Sequence, residues 1–279
     1  DLMITGIVEQ EHKKHPDKQI VIGDLKNNLV FDSIVYLNNP KITPSHLIDR
    51  SKPVHFINYN DENRFYINYE KSNDKNLSWR IDFKLIPGKI YFSQNEISNA
   101  ENILKSANNF WSEKNDKQHQ GIIFFESYST KQNHEFFKNK MNNKNWGEEN
   151  WTKLIDRLKN NYLIIQSVHE KATKIDGVFY SEREFDFRTA CAVMNNCDMY
   201  LGNEGGFGHA AAALNKKALI YFGGWISPES TGYDKHENIY YDDPTSPCGA
   251  IGYVCDHCEK ARQSITVDYL EGKIRLILK

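Results

Sequence analysis

At 279 residues, with 35 basic against 37 acidic side chains, the chain carries a formal charge of −2, too balanced for a polycation that grips nucleic acid. No apolar run reaches bilayer-crossing length and no signal-peptide pattern opens the chain, so a cytoplasmic protein is expected. Aromatic residues at 13% supply large buried surfaces to a chain long enough for two modest domains, and 5 cysteines, an odd number, suit a reducing compartment better than a disulfide scaffold.

In chain order, Leu2, Ile4, Ile7 and Val8 recur at helical spacing, and His15-Pro16-Asp17 ends that helix. "KQIVIGD" (18–24) reads as a short buried strand and "FDSIVYLNNP" (31–40) as a second, stopped by Asn-Asn-Pro. "VHFINYN" (54–60) and "RFYINYE" (64–70) are strand-like in their β-branched and aromatic content. A helix with a serine cap is expected over 98–111. The polar run "SEKNDKQHQ" (112–120) has no apolar anchor and is the expected linker, dividing the chain into 1–115 and 116–279.

Beyond it the pattern becomes regular. Strands are expected at 121–127, 162–168, 198–203 and 217–224, with helices at 148–160, 182–197 and 206–215 between them. Such alternation means an α/β fold with a parallel sheet and crossover helices. The last residues, 265–279, read as a closing helix, interrupted near Gly272.

The stretch "LGNEGGFGHAAAALNKKALIYFGG" (201–224) places Glu204, Gly205 and Gly206 between a strand end and a helix start. Ligands of parallel α/β sheets sit at that rim, and a helix N-terminus offers unpaired amides to a phosphate. The glycine spacing does not match the dinucleotide fingerprint, and a plain strand-to-helix turn explains these glycines equally well. Two further strand ends bear on the choice. "FESYST" (125–130) is rich in hydroxyls, and Lys144 precedes the next helix, with Trp146 and Trp151 as packing anchors. A lysine with hydroxyls at a strand end again describes a phosphate cradle. "IIQSVHEK" (164–171) leaves Glu170 beyond the sheet, where a carboxylate can accept ribose hydroxyls or simply face solvent.

The order Lys-x-Trp-x-Glu-Glu-x-Trp (144–151), a strand ending in Glu, "LGNEGGFGHAAAAL" (201–214) and "IYFGGWISPESTGY" (220–233) resembles bacterial glycosyltransferase family 9, the lipopolysaccharide heptosyltransferases among them. The resemblance is specific over 140–258 and weak over 25–120. It implies a GT-B architecture, with two Rossmann-like domains facing across a cleft: an acceptor-binding domain at 1–115 and a nucleotide-sugar domain at 116–279. It also implies that the family's first strand and Gly-rich loop are missing, because the chain opens at the Asp of that motif. Asp1 then matches the catalytic base and Lys144 the lysine at the donor phosphates. Glu170 matches the ribose contact, Glu204 the sugar contact where many relatives have Asp, and Gly205-Gly206 the relatives' Thr-Gly. His209 matches a histidine one turn into the helix. Ser127, Ser129 and Thr130 cover the phosphate-loop hydroxyls, and Ser230 and Thr231 fall in a loop near the donor or in a plain surface turn.

What the resemblance implies is inverting transfer of a heptose or hexose from a nucleotide-diphosphate sugar to a lipopolysaccharide or other cell-surface glycan, and since no clustered acidic pair suggests a catalytic Mg²⁺, metal independence is expected. No cofactor is implied, nor any nucleic-acid partner, and membrane association is at most peripheral, at the inner face. ADP-heptose is the family default, with other nucleotides open. Two alternatives stand beside it: a GT-B-type nucleotide-sugar epimerase, which needs no acceptor, and a catalytically inactive nucleotide-sugar binding protein. "PCGAIGYVCDHCEK" (247–260) holds one Cys-x-x-Cys pair where a strong metal signal has two. Reduced structural thiols without metal are the expectation there, Cys248, Cys255 and Cys258 being only weak ligand candidates, and Cys191 and Cys197 read as helix thiols.

Overall fold

The computed structural model describes residues 2–59, 64–127, 142–167, 173–181, 185–251, 253 and 255–279. Helix α1 (Leu2–Lys14) precedes a three-stranded sheet of β1 (Gln19–Asp24), β2 (Leu29–Val30) and β3 (Val54–Asn58). β1 is central, parallel to β3 and antiparallel to β2. Helix α2 (Gln94–Lys114) follows, and the second, larger sheet begins.

That sheet alternates with helices: β4 (Ile122–Glu126), α3 (Glu148–Leu158), β5 (Leu163–Gln166), β6 (Phe179–Tyr180), α4 (Phe187–Asn195), β7 (Met199–Asn203), α5 (Gly206–Ala213), β8 (Lys217–Gly223), the short α6 (Pro228–Thr231) and β9 (Glu237–Tyr240). Helices α7 (Asp256–Ser264) and α8 (Val267–Ile277) close the chain. All six strands are parallel, in the order β6-β5-β4-β7-β8-β9. Counted from β4 as the first, this is the 3-2-1-4-5-6 order of a doubly wound sheet. The strands are buried on both faces, which their near-continuous apolar runs require.

One face is covered by α3 and α8, around Trp146, Trp151, Leu154 and Ile274. The other is covered by α4, α5 and α2, and this core runs on without a break into β1 and α1. α2 lies against α4 and the β5–β6 edge, burying Ala100, Ala107 and Trp111. The polar 115–120 connection is tied down: Lys117 O accepts Trp111 Nε1 at 2.7 Å, and Gln120 N–H donates to Asn161 O at 2.7 Å.

Several local expectations are corrected. Residues 31–40 hold a 3₁₀ turn (Ile34–Tyr36), because the Ser33 side chain captures the Val35 amide and bends the chain. Residues 64–70 make one isolated bridge, Ile67 to Trp79, instead of a strand. α2 starts earlier than expected. Ser93, not Ser98, caps it, in a reciprocal capping box with Glu96. α8 runs uninterrupted through Gly272, whose position faces open space, and it packs on α3 and β8 within its own half. No described helix is long and apolar enough to cross a membrane.

Candidate active site at the sheet switch point

In the 3-2-1-4-5-6 order, the crossovers leaving β4 and β7 go to opposite faces, opening a crevice at their carboxyl ends. α3 lies on one face and α5 on the other, as that rule requires. Glu126 and Gly202 face each other there in register. Gly202 has no alternative: a Cβ would lie 2.3 Å from Tyr200 Oη and 2.5 Å from Glu126 O. Asn203 ties the strand ends together, donating from Nδ2 to Ser127 O at 2.7 Å.

Lys144 reaches this crevice from the turn before α3. Both flanks of that turn are anchored. Asn143 donates to Ala250 O and Tyr253 O at 3.1 and 3.2 Å, and the buried Trp146 donates from Nε1 to Ile265 O at 2.8 Å. The Lys144 ammonium forms an ion pair with Glu204 and lies 4.7 Å from the centre of the Trp225 ring. Trp225 is braced in turn by Trp79 from the first half: the rings are 4.7 Å apart, edge to face, and Trp79 Nε1 donates to Trp225 O at 3.0 Å.

α5 begins at Gly206 beside this pair. Gly205 O takes the amides of Gly208 and His209, which leaves Gly206 and Phe207 without an intrahelical acceptor. Gly205 is in extended conformation, and a Cβ there would meet nothing within 4 Å. Neither backbone strain nor packing therefore demands glycine at 205. Open space over a helix N-terminus is what an anion needs.

Below the rim lies a small cavity of ≈ 10 Å³, lined by Glu204, His209, Thr231, Tyr233 and His236 among others. It is smaller than pockets that enclose drug-sized ligands, about 300 Å³ and up. His209 accepts or donates through Nδ1 to Tyr233 Oη at 2.9 Å. Burial pushes His209 and His236 down to about 4, so both are neutral at pH 7. Ser230 and Thr231 are buried, and neither hydroxyl has a hydrogen-bond partner among the described residues.

The structure thus brings Lys144, Glu204, Gly205, Gly206, His209 and Thr231 to one rim, with Ser127 joined through Asn203. Ser230 adjoins Thr231 on the buried α6. Asp1, Ser129, Thr130 and Glu170 lie outside the described residues. Sequence reasoning missed Trp225, Asn203 and Glu126. Glu126 had a usable signal: it ends the first strand of the doubly wound unit, at the switch point itself.

Burial raises Glu126 to about 8, from an ordinary 4.5. Between those values the fold holds a proton that the unfolded chain has released, so stability falls as pH rises through the window and levels off above it. Glu126→Gln should remove that slope and gain about 1–3 kcal/mol at pH 8 relative to pH 5, in denaturant midpoints measured at both. An unchanged slope would show that Glu126 ionises normally.

No family model matches the chain, and no curated protein matches it. Solved structures do. A glycosyl transferase family 9 protein from Veillonella parvula is 14% identical at a TM-score of 0.47, over 68% of this chain and 53% of its own. The ADP-heptose lps heptosyltransferase II of E. coli is 18% identical at 0.48, over 70% and 54%. The iron-containing dodecameric glycosyltransferase TibC from enterotoxigenic E. coli is 12% identical at 0.48, over 70% and 49%. The chain spans about half the length of each of these structures.

Proposed function

We propose that the rim between β4 and β7 binds the pyrophosphate of a nucleotide-diphosphate sugar, and that the protein is a GT-B-type glycosyltransferase. The observation that carries the reading is the meeting of Lys144, Glu204 and the amides of α5 at the switch point of a doubly wound sheet. An ammonium group and a helix N-terminus both favour a diphosphate, and both oppose the charge that grows on it as a leaving group. Removing one preorganised donor of this kind typically costs about 3 kcal/mol of barrier.

In this reading the sugar lies beside Glu204 and the transfer inverts the anomeric carbon. Asp1 takes the proton from the attacking acceptor hydroxyl. Acceptor hydroxyls of a cell-surface glycan suit the reaction, and a heptose or hexose suits the donor. Charge on the leaving diphosphate is met by Lys144 and the amides, so the chemistry needs no metal at the phosphates.

Thermal shift with nucleoside diphosphates and their sugars tests the binding step, since a ligand selective for the native state raises Tm. A nucleoside diphosphate should raise Tm of the parent protein, and the free nucleoside should not. In Gly205→Ala the new methyl group has room within the fold but stands between the amides and the ligand. Its Tm without ligand should match the parent, with affinity at least about tenfold lower, the equivalent of one lost hydrogen bond to charge. No shift with any nucleotide, or parental affinity in Gly205→Ala, would refute the site.

A further inference from the structure

We propose that Cys248, Cys255, His257 and Cys258 form a tetrahedral site for one structural zinc ion. This inference is independent of the nucleotide reading. The four residues offer ligand atoms that all lie within 4.8 Å of one another. Cys248 Sγ is 3.2 Å from Cys258 Sγ and 3.7 Å from Cys255 Sγ, and none of the three is in a disulfide. Zinc–sulfur bonds near 2.3 Å set the edge of a regular tetrahedron at about 3.8 Å, so the thiols already stand at ligand spacing. Cys255 and Cys258 are buried and Cys248 half-buried, as suits a closed structural site.

The histidine supplies the second observation. Ser246 Oγ donates its proton to Tyr241 O at 2.7 Å and lies 2.8 Å from His257 Nε2. With its proton committed, Ser246 accepts from His257, so Nε2 carries the hydrogen and Nδ1 keeps its lone pair. Nδ1 is buried and has no hydrogen-bond partner among the described residues. A ring fixed through one nitrogen with the other left bare is the arrangement that metal-ligating histidines adopt. The ring sits directly on Gly224, where a Cβ would be 2.4 Å from His257 Cε1.

The cluster also sits where a cross-link matters. Cys248 N–H donates to Gly224 O at 3.0 Å, and Cys255 N–H to Asn143 Oδ1 at 3.3 Å. Asn76, from the first half, donates to Cys248 O at 2.8 Å. An ion here pins the segments that carry Trp225 and Lys144 to one another and to residues 76–79. No phosphate chemistry passes through it.

The test is metal analysis of the full chain purified without chelator, with thiol titration alongside. One equivalent of zinc per chain is expected. Stripping with a strong chelator should lower Tm by at least about 5 °C, restored by added zinc. Cobalt exchanged into the site should give the d–d bands of a tetrahedral thiolate complex. Cys258→Ser should lose the metal, whereas Cys191→Ala, in the core of α4, should keep it. If Cys258→Ser does not fold, the parent's metal content and cobalt spectrum still decide. Metal-free protein with five reactive thiols on unfolding, or one disulfide within the cluster, would overturn the site, and a stoichiometric iron content would overturn the assignment to zinc.

Discussion

Lys144→Ala should weaken nucleoside-diphosphate binding by about 10- to 100-fold, the worth of a hydrogen bond between charged groups, and lower turnover with it. The variant has a second consequence that must be separated from the first. Lys144 and Glu204 are an ion pair with side chains only 15% and 8% exposed. Truncating one member of a buried pair leaves the other uncompensated, which costs about 3–5 kcal/mol where burial is complete. Lower binding in Lys144→Ala could thus reflect a collapsed rim. Glu204→Gln resolves this. It keeps the ammonium and removes the carboxylate that competes with phosphate for it, so nucleoside-diphosphate affinity should match or exceed the parent's. Lys144→Ala with Glu204→Gln should recover most of the lost stability and none of the lost affinity. If the double variant binds nucleotide as well as Glu204→Gln alone, Lys144 is a structural partner of Glu204 and nothing more.

The larger half of the fold is legible in the sequence because a doubly wound sheet writes both of its periods openly. β4, β5, β7 and β8 are buried on both faces and read as apolar runs, and α3 and α5 follow with helical spacing. The first half is less legible for a physical reason. "FDSIVYLNNP" has the composition of a strand, but a serine hydroxyl placed two residues before Val35 offers its amide a local partner and wins. "RFYINYE" spends its aromatic rings on an irregular layer, with Tyr66 stacked near Trp79, instead of a ladder. The capping box of α2 was written in the sequence as Ser93-x-x-Glu96 and is simply a better start signal than Ser98. The candidate site was legible residue by residue but not as pairs. Lys144 marks a helix start and Glu204 a strand end, yet their contact depends on sheet order, and the Trp225 ring beneath the lysine depends on a tryptophan from the other half. The metal ligands follow the same logic. Cys255, His257 and Cys258 lie within four consecutive residues, while Cys248 joins them because its segment is held against Gly224.

Arg188→Met should destabilise the protein by about 3–5 kcal/mol, the cost of breaking a buried, hydrogen-bonded ion pair. Arg188 projects from α4 and is only 4% exposed. Its guanidinium binds the Glu96 carboxylate through Nε, and also through Nη2 at 3.0 Å. The remaining donors reach Ile34 O at 3.0 Å and Tyr91 O at 2.5 Å. One side chain therefore joins the second sheet's helix layer to the 3₁₀ turn of the first half, to the segment before α2, and to the capping box of α2. Lysine cannot replace it, since three carbonyl and carboxylate partners at fixed angles need the planar fork, and Arg188→Lys should recover less than half of the loss. The carboxylate supplies an independent readout. Arg188 holds Glu96 at about 2, below its ordinary 4.5, with help from Ser93 and against some desolvation. A depressed carboxyl contributes stability that is complete above the unfolded value and drains away as pH falls through the folded one. The parent should lose about 2–3 kcal/mol between pH 5 and pH 2 from this group, after discounting for its partial exposure. Arg188→Met should be weaker at pH 7 but lose less on acidification, so the two stability curves converge at low pH. Parallel curves would mean that Glu96 owes its low value to the helix cap alone, and that the bond between the halves of the molecule lies elsewhere.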